Sequence, residues 1–332
     1  MQRHSYLLVN LGLALLACVF FVASIYVGRG GELLVGKLHA IDETDRSLAW
    51  LILREVRLPR ALLGLFVGAT LGLTGAALQG LLRNPLAEPG LIGASSGAAL
   101  GAVLVFYFGL AAGSAMLVPF GGVVGALLSL GILYLLAGRN PSIVTLILAG
   151  VAISAFTSAL TSLALSLAAS PYAVYEIIFW LLGSFTDRSM DQVRFAAPFM
   201  AIGAILVAST ARGLDALTLG EDTAATLGFN QSSLKARAVL GTGLAVGAAV
   251  SVTGVIGFVG LVVPHLVRPL VGHQPGRLLL PSALAGAALL LAADLLVRLP
   301  LDGPEPKLGV VTSLIGAPFF LWLILRTRRE TP

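Results

Sequence analysis

Long apolar runs alternate with short polar connections over most of this chain. A helix that crosses the hydrocarbon core of a bilayer needs about 20 mostly apolar residues. Runs of this kind lie at about residues 7–27, 61–82, 91–110, 115–137, 143–168, 192–211, 278–297 and 309–325. A further run, 238–271, is too long for one helix, and we expect it to divide near residue 256, among Gly254, Gly257, Gly260 and Pro264. The pattern predicts an all-α polytopic membrane protein with about ten transmembrane helices.

The composition supports this prediction. Hydrophobic residues make up 57% of the 332 positions and charged residues 11%, whereas soluble domains are about a quarter charged. The single cysteine, Cys18, has no partner for an internal disulfide. The first run is longer than the ~7–15 residues of a signal-peptide core, so we interpret it as an uncleaved anchor. The net charge of +5, without a basic stripe, gives no indication of nucleic-acid binding.

We expect one membrane domain over residues 1–332, with two polar segments of interest. Residues 28–60 form a long loop with amphipathic pieces, and residues 212–237 form the longest connection on the other side. Lysine and arginine are spread almost evenly between the two sides, so the rule that positive loops stay inside discriminates poorly. The C-terminal Arg326, Arg328 and Arg329 favour a cytoplasmic end. That orientation places 212–237 in the cytoplasm and 28–60 outside; the resemblance described below implies that the outer side is the periplasm.

Two short patterns recur along the chain. Gly68-Ala69 precedes Thr74-Gly75 at the same spacing at which Gly247-Ala248 precedes Thr253-Gly254, and 97–100 repeats as 286–289. In the predicted span order we read the copies as running in opposite directions, which predicts an internal inverted repeat of the kind found in transporters. The alternative is a chance match between helices rich in glycine and alanine. Small residues at every fourth position also predict close helix packing, at Gly64, Gly68, Gly72 and at Gly93, Gly97, Gly101.

The stretch GELLVGK, residues 31–37, resembles the start of a phosphate-binding loop. That loop requires serine or threonine after the lysine, because the hydroxyl binds magnesium. Leu38 stands there instead. We interpret the stretch as a chance match, and we do not expect this chain to bind ATP.

A short helix is predicted within 217–228. Thr218 or Gly220 would cap it, Glu221 and Asp222 would lie in its first turn, and Gly228 would end it. A helix this short is unstable alone in water, so the membrane domain or a partner must hold it. The small residues Ala224 and Ala225 would let the groove of a partner approach.

Asp294 and Arg298 are four residues apart, which places them on one face of a helix. They form either an ion pair near the membrane surface, which we favour, or part of a proton relay. His265 has no other histidine or carboxylate at ligand spacing, so no metal site is expected. We find no nucleophile with a neighbouring base, and therefore no candidate catalytic residue.

Three segments in this order resemble the FecCD-type permeases of bacterial ABC importers, which carry iron-siderophore, haem or cobalamin. The first begins with Arg57-Leu-Pro-Arg60 and continues, after the glycine-rich second span, to 84–90. The second is 257–268, and the third covers 309–318. The resemblance extends over nearly the whole chain. Its signature residues are Asn84, Pro85, Glu88, Pro89, Pro264 and His265.

The resemblance implies a type II ABC importer fold in the bacterial inner membrane. It implies a homodimer with a pathway along the dimer axis, two cytoplasmic ATPase subunits that bind ATP and magnesium, and a periplasmic substrate-binding protein. The chain itself would bind no cofactor and would not be an enzyme.

The resemblance also implies roles for particular residues. The coupling helix, which contacts the ATPase, would comprise Gly220, Glu221, Asp222, Ala225, Leu227 and Gly228. Docking of the binding protein would use Arg57, Arg60 and Arg298, whose guanidinium groups suit carboxylates. The cytoplasmic gate would lie at Ser142, Ile143 and Val144, where relatives carry small polar residues.

We therefore expect a permease for an iron chelate, with cobalamin as the alternative cargo. The alternatives from other classes are a proton-coupled secondary transporter that uses Asp294 and a membrane scaffold that transports nothing. The internal repeat and the predicted coupling helix argue against the scaffold.

Overall fold

A computed structural model of the chain describes residues 3–28, 43–138, 141–299 and 304–330. The helices of the first half are α1 (Arg3–Tyr26), α2 (Glu43–Ile52), α3 (Leu58–Leu81), α4 (Ala94–Tyr107), α5 (Leu117–Ala137), α6 (Ile143–Ser166) and α7 (Pro171–Leu181). Those of the second half are α8 (Met190–Ala208), α9 (Ala211–Leu217), α10 (Glu221–Thr226), α11 (Gln231–Thr253), α12 (Val259–Val271), α13 (Pro275–Arg298) and α14 (Leu308–Glu330). A π-helical turn, Leu53–Arg57, joins α2 to α3, and 3₁₀ turns form at Pro89–Ile92 and Leu110–Ala112. The described part of the chain contains no β-strand element, which confirms the all-α prediction.

The apolar runs form the predicted helices. Seven helices in the described residues are long and apolar enough to cross a membrane: α1, α3 with the helical segment before it, α5, α6, α8, α11 and α13. Three shorter apolar helices, α4, α12 and the first part of α14, occupy the remaining predicted runs. The division near residue 256 is confirmed, because α11 ends at Thr253 and α12 begins at Val259. Non-helical backbone precedes α12, as in the interrupted helices of transporters.

Glycine allows the longest helices to pack with their backbones in contact. A methyl group on Gly68 of α3 would overlap the carbonyl oxygen of Gly286 in α13, and one on Gly72 would overlap that of Ser282. Because the lipid tails are as apolar as the side chains, dispersion between closely packed helices takes the place of a hydrophobic driving force. The prediction that glycines at every fourth position mark close packing is confirmed for this pair of helices.

These contacts also give the directions of the helices. Gly68 faces Gly286 and Gly72 faces Ser282, so α3 and α13 are antiparallel. The first turns of α11 and α13 both lie near the α9–α10 segment, because Lys235 pairs with Glu221 and the amide of Gly276 donates to Asp215. Hence α11 and α13 both start at that end of the bundle and α3 ends there. The first repeated pattern, in α3 and α11, therefore occurs on helices of opposite direction, as an inverted repeat requires.

The second repeated pattern corrects our reading. Gly101 faces Gly121, and Gly97 faces Gly125, so α4 and α5 are antiparallel. Gly122 of α5 faces Ser251 near the end of α11, so α5 and α11 are antiparallel too. Consequently α4 runs in the same direction as α11 and α13. The copies at 97–100 and 286–289 are parallel, and we attribute this second match to the common use of glycine and alanine in close-packed helices.

The two predicted polar segments contain more helix than expected. In the segment 28–60, α2 and the start of α3 are helical, while the stretch GELLVGK lies outside the described residues. In the segment 212–237, α9, α10 and the first turns of α11 follow one another with only short breaks. We call the end of the bundle where α3 begins the Arg60 end, and the end that carries α10 the Glu221 end.

Candidate functional site

A buried cluster of charged side chains lies at the Arg60 end. The guanidinium of Arg60 donates from Nε to Asp294 Oδ1 at 3.0 Å and from Nη2 to the same oxygen at 2.8 Å. It also pairs with Glu305, just before α14. Arg298 pairs with the other oxygen of Asp294. A charge deep in the bundle is tolerated when it is paired and hydrogen-bonded, and Asp294, only 1% exposed, meets both conditions.

The arginines of this cluster also hold the end of α1. Arg298 donates to the carbonyl oxygen of Ser24 at 2.8 Å and to its hydroxyl at 2.7 Å, while Arg57 donates to the carbonyl of Tyr26 at 2.6 Å. The last carbonyls of a helix lack partners within it and carry partial negative charge, so cations favour this position. The cluster thus ties α1, α3, α13 and the segment before α14 together.

This geometry bears on the sequence predictions for Asp294 and for the docking arginines. The pairing of Asp294 with Arg298 is confirmed; the pair lies in the last turns of α13, is buried within the bundle, and is shared with Arg60. Both oxygens of Asp294 accept hydrogen bonds from arginines, the arrangement expected of a structural ion pair. Arg57, Arg60 and Arg298 are the residues that the resemblance assigns to docking of the binding protein. Each is turned inward onto groups of this chain, because burying an unpaired charge is costly. Their docking role stays a prediction that requires an exchange of partners.

A cavity of about 600 Å³ opens along α6 and the start of α4. One face of α6 contributes a row of hydroxyls at helical spacing, from Ser154, Ser158, Thr161 and Ser162. Opposite them lie Ser95, Ser96 and the carboxyl of Glu88, the only ionisable side chain that lines this cavity among the described residues. Glu88 lies between α3 and α4, and burial raises the pKa of its carboxyl above the ordinary value of 4.5.

A second cavity, of about 650 Å³, lies along α14. Its wall includes Gly309, Ser313 and Pro318 of the third signature segment, and it shares Leu181 and Val255 with the first cavity. Both cavities are mostly apolar with scattered hydroxyls. The first cavity carries six hydroxyls and one carboxyl, whereas Ser313 supplies the one hydroxyl among the described residues that line the second.

The three signature segments, distant in sequence, meet in space. A methyl group on Gly260 would lie 2.7 Å from Cδ of Pro89, so the first and second segments touch. The ring of His265 packs edge-on against Phe319, at 5.9 Å between centroids, next to the third segment. Pro89 and Pro264 are buried, while Asn84 shapes the turn before Pro85 by accepting from the amide of Leu86 at 2.9 Å. In the described residues no three histidine, cysteine or acidic side chains are grouped to hold a metal ion.

The short helix predicted within 217–228 is present but shorter than expected. It spans Glu221–Thr226, and its N-cap is Gly220, with a φ of 111° that favours glycine. Thr218, the other candidate cap, instead donates to the carbonyl of Asp215 in α9 at 2.7 Å. Gly228, at φ 87°, follows the helix as predicted.

The exposed face of α10 and the residues after it combine polar side chains, Asp222, Thr223 and Thr226, with apolar ones. Leu227 is 58% exposed, and Asp222, Ala225 and Gly228 are also exposed. Ala224 was expected to face a partner too, but it is fully buried and packs inward. On the other side of Gly220, Leu219 is 64% exposed. Two exposed leucines that flank a short helix, outside the apolar spans, form a surface suited to contact with another protein.

The predicted gate residues lie at the Glu221 end of the helix that carries the hydroxyl row. Ser142 caps α6, since its hydroxyl accepts from the amide of Thr145 at 3.0 Å. Ile143 is half-buried and Val144 is 64% exposed. The structure thus places these residues at one end of the α6 wall, and their role as a gate stays a prediction.

Comparison with known proteins identifies the family. The profile of the FecCD transport family matches residues 15–326. The chain belongs to the FecCD transport family. It is similar to the vitamin B12 import system permease protein BtuC of Vibrio cholerae, with 39% identity over 98% of this chain and 94% of that protein. It is also similar to the hemin transport system permease protein HmuU of Yersinia pestis, with 40% identity over 87% of each chain.

A solved structure agrees with the fold of this FecCD chain. It is described as an inward-facing conformation of a transporter inferred to be of the metal-chelate ABC type. The TM-score is 0.83 at 34% identity, and the match covers 96% of this chain and 99% of the other. The FecCD chain is therefore a multi-pass membrane protein and the permease of an ABC importer. The secondary-transporter and scaffold alternatives are thereby set aside.

Sequence reasoning missed two parts of the site in this FecCD chain. The hydroxyl row of α6 was visible as serines and threonines at helical spacing in the fifth apolar run, a signal that we did not use. The second part, the exposed Leu219 together with the buried Lys235, gave no local signal. Both depend on how α9, α10 and α11 fold back on one another.

Proposed function

We propose that this permease moves a large metal chelate from the periplasm to the cytoplasm, with an iron chelate, a siderophore complex or haem, as the first candidate. The observation that supports the proposal best is the pair of cavities of about 600 and 650 Å³, which share lining residues and carry hydroxyls but few charges. Such walls fit a bulky cargo whose selection takes place elsewhere.

Cobalamin is the second candidate for the cargo. The similarity to the vitamin B12 permease of Vibrio cholerae extends over 98% of this chain, further than the similarity to the hemin permease. The walls of the cavities are compatible with either compound, since hydroxyls bond to the amides of a corrinoid as well as to the donor groups of a siderophore.

The proposed assembly contains two copies of this chain in the bacterial inner membrane. Each α6 and each α14 presents exposed apolar residues beside the cavities, such as Leu148 and Leu314, which a second copy or lipid would cover. A periplasmic binding protein would deliver the cargo at the Arg60 end. There Arg57, Arg60 and Arg298 would exchange their internal partners for its carboxylates.

ATP and magnesium would be bound by two cytoplasmic ATPase subunits, and no cofactor by this chain. The ATPase would contact α10 through the face formed by Gly220, Asp222, Ala225, Leu227 and Gly228, with Glu221 at the start of the helix. Closure of the ATPase pair would displace α10, and the two copies of the permease would rock about the pathway. Opening at Ser142, Ile143 and Val144 would then release the cargo.

The test is uptake into proteoliposomes that contain the permease and its ATPase, with the binding protein supplied from the periplasmic side. Radiolabelled ferric siderophore, haemin and cyanocobalamin are offered in separate arms. We expect ATP-dependent uptake of at least one chelate. Leu227→Asp should reduce it by about tenfold, because a carboxylate would be buried in the ATPase contact, and Leu227→Met is the matched control. Uptake that needs no ATPase, or that is unchanged in Leu227→Asp, would contradict the proposal.

A further inference from the structure

Lys235, in the second turn of α11, is a buried lysine that none of the roles above requires. It is 8% exposed. Its Nζ lies 3.5 Å from Oε1 of Glu221 in α10 and donates to the carbonyl of Pro141 at 3.4 Å. An ammonium is rarely buried unless it is paired, because desolvating it is costly. Here one side chain reaches both α10 and the connection between α5 and α6.

The surrounding contacts make the start of α11 a junction between these two parts. One turn before Lys235, the side-chain amide of Gln231 donates to the backbone carbonyl of Glu221. One residue after it, the carbonyl of Ala236 accepts from the hydroxyl of Tyr134 near the end of α5, at 3.2 Å. A helix of six residues has no stability of its own, so these contacts, together with α9, fix the position of α10.

Between α10 and the start of α6, the junction consists of polar contacts around a cavity, while Ala224 packs α10 against the rest of the bundle. A cavity of about 570 Å³ lies here, lined among others by Pro141, Ser142, Glu221, Gln231 and Lys235. Few atoms therefore connect α10 to the start of α6. The side chain of Lys235 crosses the distance between them, and Pro141 directly precedes Ser142, the N-cap of α6.

We propose that Lys235 is the positioning residue that transmits displacement of α10 to the start of α6, and thereby to the gate segment and the hydroxyl row. The inference rests on the proposed function, since it assumes that an ATPase moves α10. When α10 moves, Glu221 carries the ammonium with it, and the ammonium carries the carbonyl of Pro141. Without the ammonium, α10 moves into the cavity, and α6 stays in place because no contact pulls it along.

The first experiment compares three variants of the reconstituted permease–ATPase complex. Lys235→Met removes the ammonium, Lys235→Arg keeps a cation, and Arg237→Met removes a nearby basic group that contacts Ser209 instead. We expect Lys235→Met to lower cyanocobalamin or ferric siderophore uptake per ATP hydrolysed by about tenfold, with ATP hydrolysis itself within about twofold of the unaltered complex. Lys235→Arg should recover most of the ratio, and Arg237→Met should leave it unchanged. If Lys235→Met lowers hydrolysis, uptake and thermal stability together, the residue is merely structural and the inference fails.

The second experiment needs no cargo and separates this inference from the proposed function. In a chain with Cys18 replaced by alanine, a spin label at position 144 reports the distance between the two copies of α6. Adding ATP to the complex should change this distance with Lys235 present and leave it unchanged in Lys235→Met. A persistent change in Lys235→Met overturns the inference, whatever the transport result. A change that depends on Lys235 supports the inference even if the separate uptake experiment contradicts the proposed cargo.

A charge exchange tests the ion pair by itself. Glu221→Lys and Lys235→Glu should each uncouple transport from hydrolysis, and the double variant should recover at least part of the ratio, because the pair is restored in reverse. Two single effects that simply add in the double variant would show that the two residues do not act as a pair.

Discussion

The contact between α3 and α13 gives a graded prediction for three glycines on one helix face. A methyl group on Gly68 would lie 2.7 Å from Cα of Ala287 and would also overlap the carbonyl of Gly286. Ordinary contact begins at 3.4 Å, so relieving the contact with Ala287 alone requires the helices to separate by at least about 0.7 Å. A gap of that size forfeits about a quarter to a half of the dispersion energy of the atom pairs involved.

The expected cost of Gly68→Ala follows from this separation. Overpacking costs about 1–3 kcal/mol, and backbone atoms cannot rotate away as a side chain does, so we take the upper end. Alanine returns up to about 1 kcal/mol through its helix propensity. The net expectation for Gly68→Ala is about 2 kcal/mol of destabilisation, and the same for Gly72→Ala, which meets the backbone of Ser282. Gly64→Ala meets only the rotatable end of Leu291 at 2.8 Å and should be nearly neutral.

The assay is reversible unfolding of the purified chain in mixed micelles, titrated with a denaturing detergent and followed by tryptophan fluorescence. Gly131→Ala in α5 is the matched control, because a methyl group there has no neighbour within 4 Å. It should be neutral or stabilising by up to about 1 kcal/mol. If Gly68→Ala is as stable as Gly131→Ala, or if Gly64→Ala costs as much as Gly68→Ala, backbone contact does not limit this interface and the reasoning is wrong.

Two further predictions concern carboxyl groups. Asp294→Asn should destabilise the chain by about 3–5 kcal/mol in the same assay, because it leaves Arg60 and Arg298 without their shared carboxylate. Uptake should fall only in proportion to the amount of folded protein. A decrease in unfolding free energy below about 1 kcal/mol would contradict the buried pairing. Burial raises the pKa of Glu88, so the ionised carboxyl is disfavoured in the folded state and stability is lost as pH rises from 4.5 through the raised pKa. Glu88→Gln should therefore melt above the unaltered chain at pH 8, with the difference vanishing near pH 4, and a difference that does not depend on pH would refute this account.

The arginines at the Arg60 end show which features of the site the sequence alone can predict. The sequence resemblance singled out Arg57, Arg60 and Arg298, and the spacing of Asp294 and Arg298 indicated an ion pair. Their orientation was not predictable, since Arg60 and Asp294 are 234 residues apart. Local pattern carries no information about which carboxylate a flexible side chain will meet.

The sequence by itself determined where the membrane helices lie, because hydrocarbon offers no partner for backbone groups and each long apolar run must become a helix. It also determined the break near residue 256 and the glycine caps of α10, since glycine is favoured where φ is positive. Only the tertiary structure decided that the second repeated pattern runs in parallel, that the hydroxyls of α6 face Glu88 across a cavity, and that Lys235 joins α10 to Pro141. The physical reason is that these features are contacts between segments distant in sequence, set by packing of the whole bundle rather than by local backbone preference.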